Sequence, residues 1–267
     1  SDVIKIADGD SDCGYGDAAV VAHPTTGEVM VLSVGGSSVF GETKSSSNTY
    51  FVKRHYSSNY GRTWETSDLT SQFKGSSSLL KSKDVGSMFF ASGRILLSKN
   101  PDTPGRIYAA LLTSENAKKI FSWSDKNYNY VFYSDDFGVN WNMLGSDYAI
   151  DSGDEAKVEE LPNGDIVISS KSPSAGGTRI FNVYSMTNKK WGTQATYSFG
   201  GSNKTNGELM LYRGLYKVGE TTGQTYDVLL QSLPTADNRA NVSVFYKELA
   251  ANTTYTAATI ATGWNKG

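Results

Sequence analysis

The chain has one cysteine, Cys13, two histidines and six prolines in 267 residues. A single thiol closes no intramolecular disulfide, so a disulfide-stapled fold is excluded and stability must come from packing. Lys and Arg number 25 against 27 Asp and Glu. No basic surplus is available to neutralise phosphates, which argues against nucleic acid as the main partner. His23 and His55 stand alone, and no His, Cys and carboxylate cluster has ligand spacing, so metal catalysis is not indicated. No apolar run reaches the ~18 residues of a membrane span, and no basic stretch leads into an apolar signal core. The chain opens on SDVIKIADG without an initiator Met, consistent with removal of a preceding part.

What is abundant is glycine and tyrosine, 27 and 16 residues, with five tryptophans. Short strands and tight turns fit this composition better than helices, so an all-β class is expected. Four segments repeat one pattern, a Gly turn followed by a short apolar strand: TTGEVMVLSV, ASGRILLS, PNGDIVIS and TNGELMLYR. Gly27, Gly93, Gly164 and Gly207 are each expected to supply the positive φ of a hairpin turn. Two boxes share Ser, Gly and Trp at the same offsets, SSNYGRTW (57–64) and SDDFGVNW (134–141), with YSMTNKKW (184–191) as a degenerate third. Repeats of multi-stranded units suggest a β-propeller. The stretches from Gly41 and Lys74 read as long exposed loops, and no domain boundary is visible.

The segment DEAKVEELPNGDIVISSK (154–171) carries the chemistry: an acidic cluster runs into a Gly-turned strand that ends on a cation. Read from the residues alone, Glu155 is a solvated carboxylate ahead of a strand, Arg239 a surface cation after the Pro234 turn, and Asp17 part of a Gly-containing turn. The acids of DGDSDCG (8–14) alternate as in a calcium loop, but the Gly comes one residue late and the twelfth position is Ala19, which leaves a polar loop. Asn203, Asn241 and Asn252 head N-glycosylation tripeptides that carry meaning only in a eukaryotic secretory route.

The Trp boxes resemble the Asp-box of bacterial exo-α-sialidases, with Asn59 where the first box would carry Asp. GYGDAAVV, GDEAKVEELPNGDIVISSK and LLQSLPTADNRANVSVFYKEL are similar, in the same order, to segments of Bacteroides-type sialidases. The resemblance implies an all-β fold, the six-bladed β-propeller of sialidases, in a single domain over residues 1–267. About four blades would be supplied, with the fold incomplete at both ends. It implies hydrolysis of terminal sialic acids with retention, through a tyrosine nucleophile rather than a carboxylate, because the substrate already bears one. Glu155 matches the glutamate that activates the tyrosine. Lys171, 16 residues further on, and Arg239 match two of three arginines that hold the substrate carboxylate, and Asp17 matches an aspartate that contacts a sugar hydroxyl.

Two departures follow. Lys171 keeps the charge of an arginine and loses its planar fork. The remaining arginine, the acid and the tyrosine match positions beyond the two ends, so the chain is expected to be inactive alone. Arg179 is read as a surface cation flanked by apolar strand residues, with a reach into the site as the alternative; Glu159 and Glu160 are read as leading into the strand. Trp64 and Trp141 are assigned to packing. The resemblance implies no cofactor and no metal, sialylated glycans or free sialic acid as partners, and a periplasmic, cell-surface or secreted location. The rival reading is a glycan-binding propeller that has lost hydrolysis.

Overall fold

A computed structural model describes residues 3–9, 14–36, 51–115, 126–174, 176–201, 205–216, 223–236, 239–250 and 253–267. The all-β expectation holds: the described residues form twenty strands and two four-residue helices. Two compact units, Ser1–Leu144 and Gly145–Gly267, are taken in turn.

In the first unit β1 (Gly14–Ala22), β2 (Val29–Gly36), β3 (Phe51–Ser57) and β4 (Glu65–Asp68) form an antiparallel meander. The apolar run of β2 is buried along Met30 to Val34, so this strand is covered on both faces. After α1 (Thr70–Phe73) come β5 (Val85–Phe90), β6 (Gly93–Arg94), β7 (Leu96–Leu97), β8 (Ile107–Glu115), β9 (Asn127–Ser134) and β10 (Asn142–Met143). They build a second meander in the order β10-β9-β8-β5, with β7 also on β8, while β6 joins the first sheet parallel to β1. Its core is aromatic: Phe73 lies 5.3 Å from Phe90 and 5.1 Å from Phe132, both near edge-on, with Trp141 closing the cluster.

The two Trp boxes fold alike. In the second, Ser134 Oγ accepts the Gly138 N–H at 2.8 Å, and Asp136 Oδ1 accepts those of Val139 and Asn140 at 3.1 and 2.8 Å. The Trp141 indole then donates to Gly138 O at 3.1 Å. In the first, Ser57 Oγ accepts from Gly61 at 2.9 Å, Asn59 Oδ1 accepts from Thr63 at 2.9 Å, and Trp64 donates to Gly61 O at 2.9 Å. Both turns place two successive residues at positive φ, Tyr60–Gly61 and Phe137–Gly138. Arg54 donates to Phe137 O, and Gln72 bonds Val139 O and the Trp141 N–H, so the second box clamps one sheet of this unit to the other. Packing is thus what Trp141 does; it is buried, and Trp64 is half-buried.

The second unit begins with β11 (Ile150–Asp151). Its first meander runs β12 (Ala156–Glu160), β13 (Ile166–Lys171), β14 (Thr178–Ser185) and β15 (Lys190–Trp191), with β16 (Ala195–Ser198) also on β14. Its second runs β17 (Leu209–Tyr216), β18 (Thr225–Pro234), β19 (Val242–Leu249) and, after α2 (Ala257–Ile260), β20 (Asn265–Lys266). Phe181, Phe199, Phe245 and Trp264 share the core between these sheets, with Phe199 4.8 Å from Phe245 and 5.2 Å from Trp264. The degenerate third box is the β14–β15 hairpin, where Tyr184 meets Trp191 edge-on at 5.2 Å and Lys189 takes the positive φ that glycine takes elsewhere.

The four Gly turns divide. Gly27 and Gly164 turn the β1–β2 and β12–β13 hairpins at φ 78° and 85°, as expected. Gly93 has positive φ but starts the parallel strand β6 rather than a hairpin. Gly207 is not at positive φ at all: it is small because a Cβ there would lie 2.1 Å from Ser232 O and 2.9 Å from Gln231 Nε2. Two further glycines serve the same close approach, Gly177 against Gly200 O at 2.1 Å and Gly201 against Thr235 O at 2.5 Å. Of the two expected loops, residues 41–49 lie outside the described residues, and the stretch from Lys74 is largely exposed, with Ser78 and Leu80 buried and Leu79 and Lys83 half-buried.

Candidate functional site

Glu155 stands one residue before β12 and Lys171 is the last residue of β13, so the antiparallel pairing of these strands sets them side by side. The Lys171 N–H donates to Glu155 O at 2.9 Å. The Lys171 ammonium lies 3.1 Å from Glu155 Oε2 and 3.0 Å from Asp154 Oδ2. Asp154 is itself fixed, since its Oδ1 accepts the Glu155 N–H at 2.8 Å and its own N–H donates to Ser170 Oγ at 2.9 Å. The cation that closes the sequence motif therefore meets both acids that open it.

Opposite Lys171 across the ladder is Arg179. It is not a surface cation: it is 1 % exposed, among the largest fully buried side chains of the chain. Its Nε donates to Ser169 Oγ at 3.0 Å, and its Nη2 to Ser169 O at 2.7 Å. Burial pulls its pKa down to about 10, against the fields of Glu155, Asp154 and Glu208, which favour the charged form. Two cations abreast on neighbouring strands repel each other, and these carboxylates are what makes the pairing tolerable. Ser169 Oγ donates on to Gln231 Oε1 at 2.7 Å, and Gln231 Nε2 donates to Glu208 O at 2.9 Å, so one polar chain joins the two sheets of the unit. Glu159 and Glu160 are buried within β12; Glu159 Oε2 accepts the Leu211 N–H at 3.0 Å and serves packing.

A cavity of about 300 Å³ adjoins this network through Glu155 and Thr205, and is lined by Glu155, Thr205, Asn206, Pro234 and Arg239. Arg239 sits in the turn after β18, at φ 60°, where Thr235 and Ala236 donate to Asn241 O and Ala240 O. It is exposed and lines the cavity. Three of the four residues singled out in the sequence are thus brought together: Glu155 and Arg239 share a cavity and Lys171 is bonded to Glu155. Asp17 belongs to the other unit. It lies on β1 at φ 49°, where the pairing with β2 shifts register between Gly16 and Ala19. Sequence reasoning missed Asp154, Ser169 and Gln231. The available signal was polarity inside buried strands, Ser169 in IVISSK and Gln231 in VLLQSL.

No protein-family model matches the sequence, and neither does any curated protein. Solved structures do match in fold. The intramolecular trans-sialidase of Ruminococcus gnavus superimposes with a TM-score of 0.65 at 13 % identity, over 95 % of this chain and 67 % of that one. The leech intramolecular trans-sialidase gives 0.65 at 13 %, over 96 % and 48 %. Trypanosoma rangeli sialidase with bound sialic acid gives 0.63 at 15 %, over 91 % and 38 %. The chain spans between 38 and 67 % of the length of these three structures. The fold is therefore the sialidase-type β-propeller, and the four meanders are sheets of its blade type.

Proposed function

We propose that this chain carries part of the substrate site of an exo-α-sialidase of the Asp-box, Bacteroides-type group, acting on terminal sialic acids of glycoconjugates. The observation that carries the reading is the shared cavity of Glu155 and Arg239, with Lys171 bonded to that glutamate. In this reading Glu155 is the base that activates a tyrosine nucleophile, Lys171 and Arg239 hold the substrate carboxylate, and Asp17 contacts a sugar hydroxyl. The glycosidic bond is cleaved with retention through a tyrosyl intermediate, and the reading calls for neither metal nor organic cofactor. In the same reading the substrates lie outside the cell, which corresponds to a periplasmic, cell-surface or secreted location.

The test is a fluorogenic sialoside assay of the intact protein beside a binding titration with sialic acid. Replacing Glu155 by Gln should lower turnover by about 10²-fold or more while binding persists; unchanged turnover removes Glu155 from its role. A second reading, a sialic-acid-binding propeller without hydrolysis, is favoured by one contact, the Lys171–Glu155 pair at 3.1 Å, which occupies the base. Binding with no cleavage in the intact protein selects it.

A further inference from the structure

Behind the cavity wall formed by Glu155, two cations, Lys171 and Arg179, are set among three carboxylates, Asp154, Glu155 and Glu208, while Arg239 lines the cavity together with Glu155. Arg179 is buried and its Nε and Nη2 are spent on Ser169, so it cannot turn outward. Lys171 is held by two acids at once, with only 11 % of its side chain exposed. A lysine ammonium has three donors and no fork, so two of its three directions are already used. Asp154 is the stiffer of the two acids, because its second oxygen is fixed on the Glu155 N–H and its backbone on Ser170.

From this we infer that Asp154 is a specificity-determining residue, an internal competitor that occupies Lys171 and restrains the affinity of the cavity for carboxylate-bearing sugars. An incoming carboxylate must separate Lys171 from Asp154 or Glu155, or bind to Arg239 alone. An arginine at 171 would offer five donors and serve both an internal and an external carboxylate; lysine forces a choice. The inference rests on the proposed sialic acid site and adds a residue that the sequence motif did not single out.

The experiment is isothermal titration of the 267-residue chain with N-acetylneuraminic acid, using neutral N-acetylmannosamine as control. In Asp154→Asn the amide oxygen can still accept the Glu155 N–H while the partner of Lys171 is neutral. Carboxylate affinity should rise about tenfold, with the neutral sugar unaffected. Glu155→Gln should give a gain of the same sign, which provides a second variant if the first is poorly folded. In Asp154→Asn/Lys171→Gln the gain should vanish. The inference is overturned if Asp154→Asn binds the acid no better than the wild type, if the gain persists without Lys171, or if the neutral sugar gains equally. A wild type and variants that all fail to bind N-acetylneuraminic acid overturn the sialic acid site itself, whereas wild-type binding with no gain removes only the role of Asp154.

Discussion

Replacing Asp136 by Ala separates what the second Trp box contributes from what its tryptophan contributes. The carboxylate accepts from Ser134 Oγ at 2.8 Å, from the Val139 and Asn140 N–H groups, and from Asn140 Nδ2 at 2.7 Å. Burial alone would raise its pKa, but these bonds, led by those from Asn140, outweigh it and hold the carboxyl below its usual range. Asp136 is exposed, so solvent replaces part of what is lost, and a capping-type loss of about 1–2 kcal/mol is the expected cost. For a unit of this size that is a fall of about 3–6 °C in the thermal midpoint. The matching change in the first box, Asn59→Ala, removes a neutral acceptor and should cost about half as much. The assay is thermal unfolding followed by tryptophan fluorescence, for both variants and for Asp136→Asn. The sign with pH follows from the depressed pKa: the stabilisation is present above the unfolded carboxyl value of about 3.9 and is lost as pH falls through the lower folded value. Asp136→Asn should lack that acid-dependent part. If Asp136→Ala is as stable as the wild type, or costs less than Asn59→Ala, the shared hydrogen-bond scheme is not what holds the box.

Two further outcomes are expected. Gly207→Ala forces a methyl group against Ser232 O and Gln231, and should cost about 2–3 kcal/mol and weaken anion binding, measured by denaturant unfolding and by titration with N-acetylneuraminic acid. His55 is buried, with Nε2 2.8 Å from Ser33 Oγ and Nδ1 2.9 Å from Thr66 Oγ1; burial, helped by Lys53, holds its pKa below 6.5. The folded state therefore takes up fewer protons than the unfolded one, and stability should decline as pH falls below about 6.5, a decline that His55→Gln should reduce in melts between about pH 7.5 and 5.5.

The strands and the Trp boxes were legible because local chemistry specifies them. Alternating or continuous apolar runs gave β2, β13 and β17, and the Ser, Asx and Gly offsets gave the turns that the hydrogen bonds now show. Glu155, Lys171 and Arg239 were singled out by the family resemblance; the register of β12 and β13 sets the first two side by side, and Glu155 and Arg239 line one cavity. Arg179 was misread, since a strand position does not say which face is covered, and the side chain is buried with Ser169 and Thr205 as hydrogen-bond partners. Gly207 was misread for a similar reason: its need is set by Ser232, 25 residues away, and a backbone carbonyl leaves no mark on the sequence. Asp154 stood in the acidic cluster without a role of its own, because its pairing with Lys171 depends on the strand register.

The close approaches at Gly177, Gly201 and Gly207 bring bare main chain together beside the cavity. Such positions cannot be diversified, because every other residue type adds an atom where a carbonyl already stands. Mutational scanning of this region should accordingly yield a fixed frame with a few variable points, Thr205 and Asn206, through which ligand preference is free to drift.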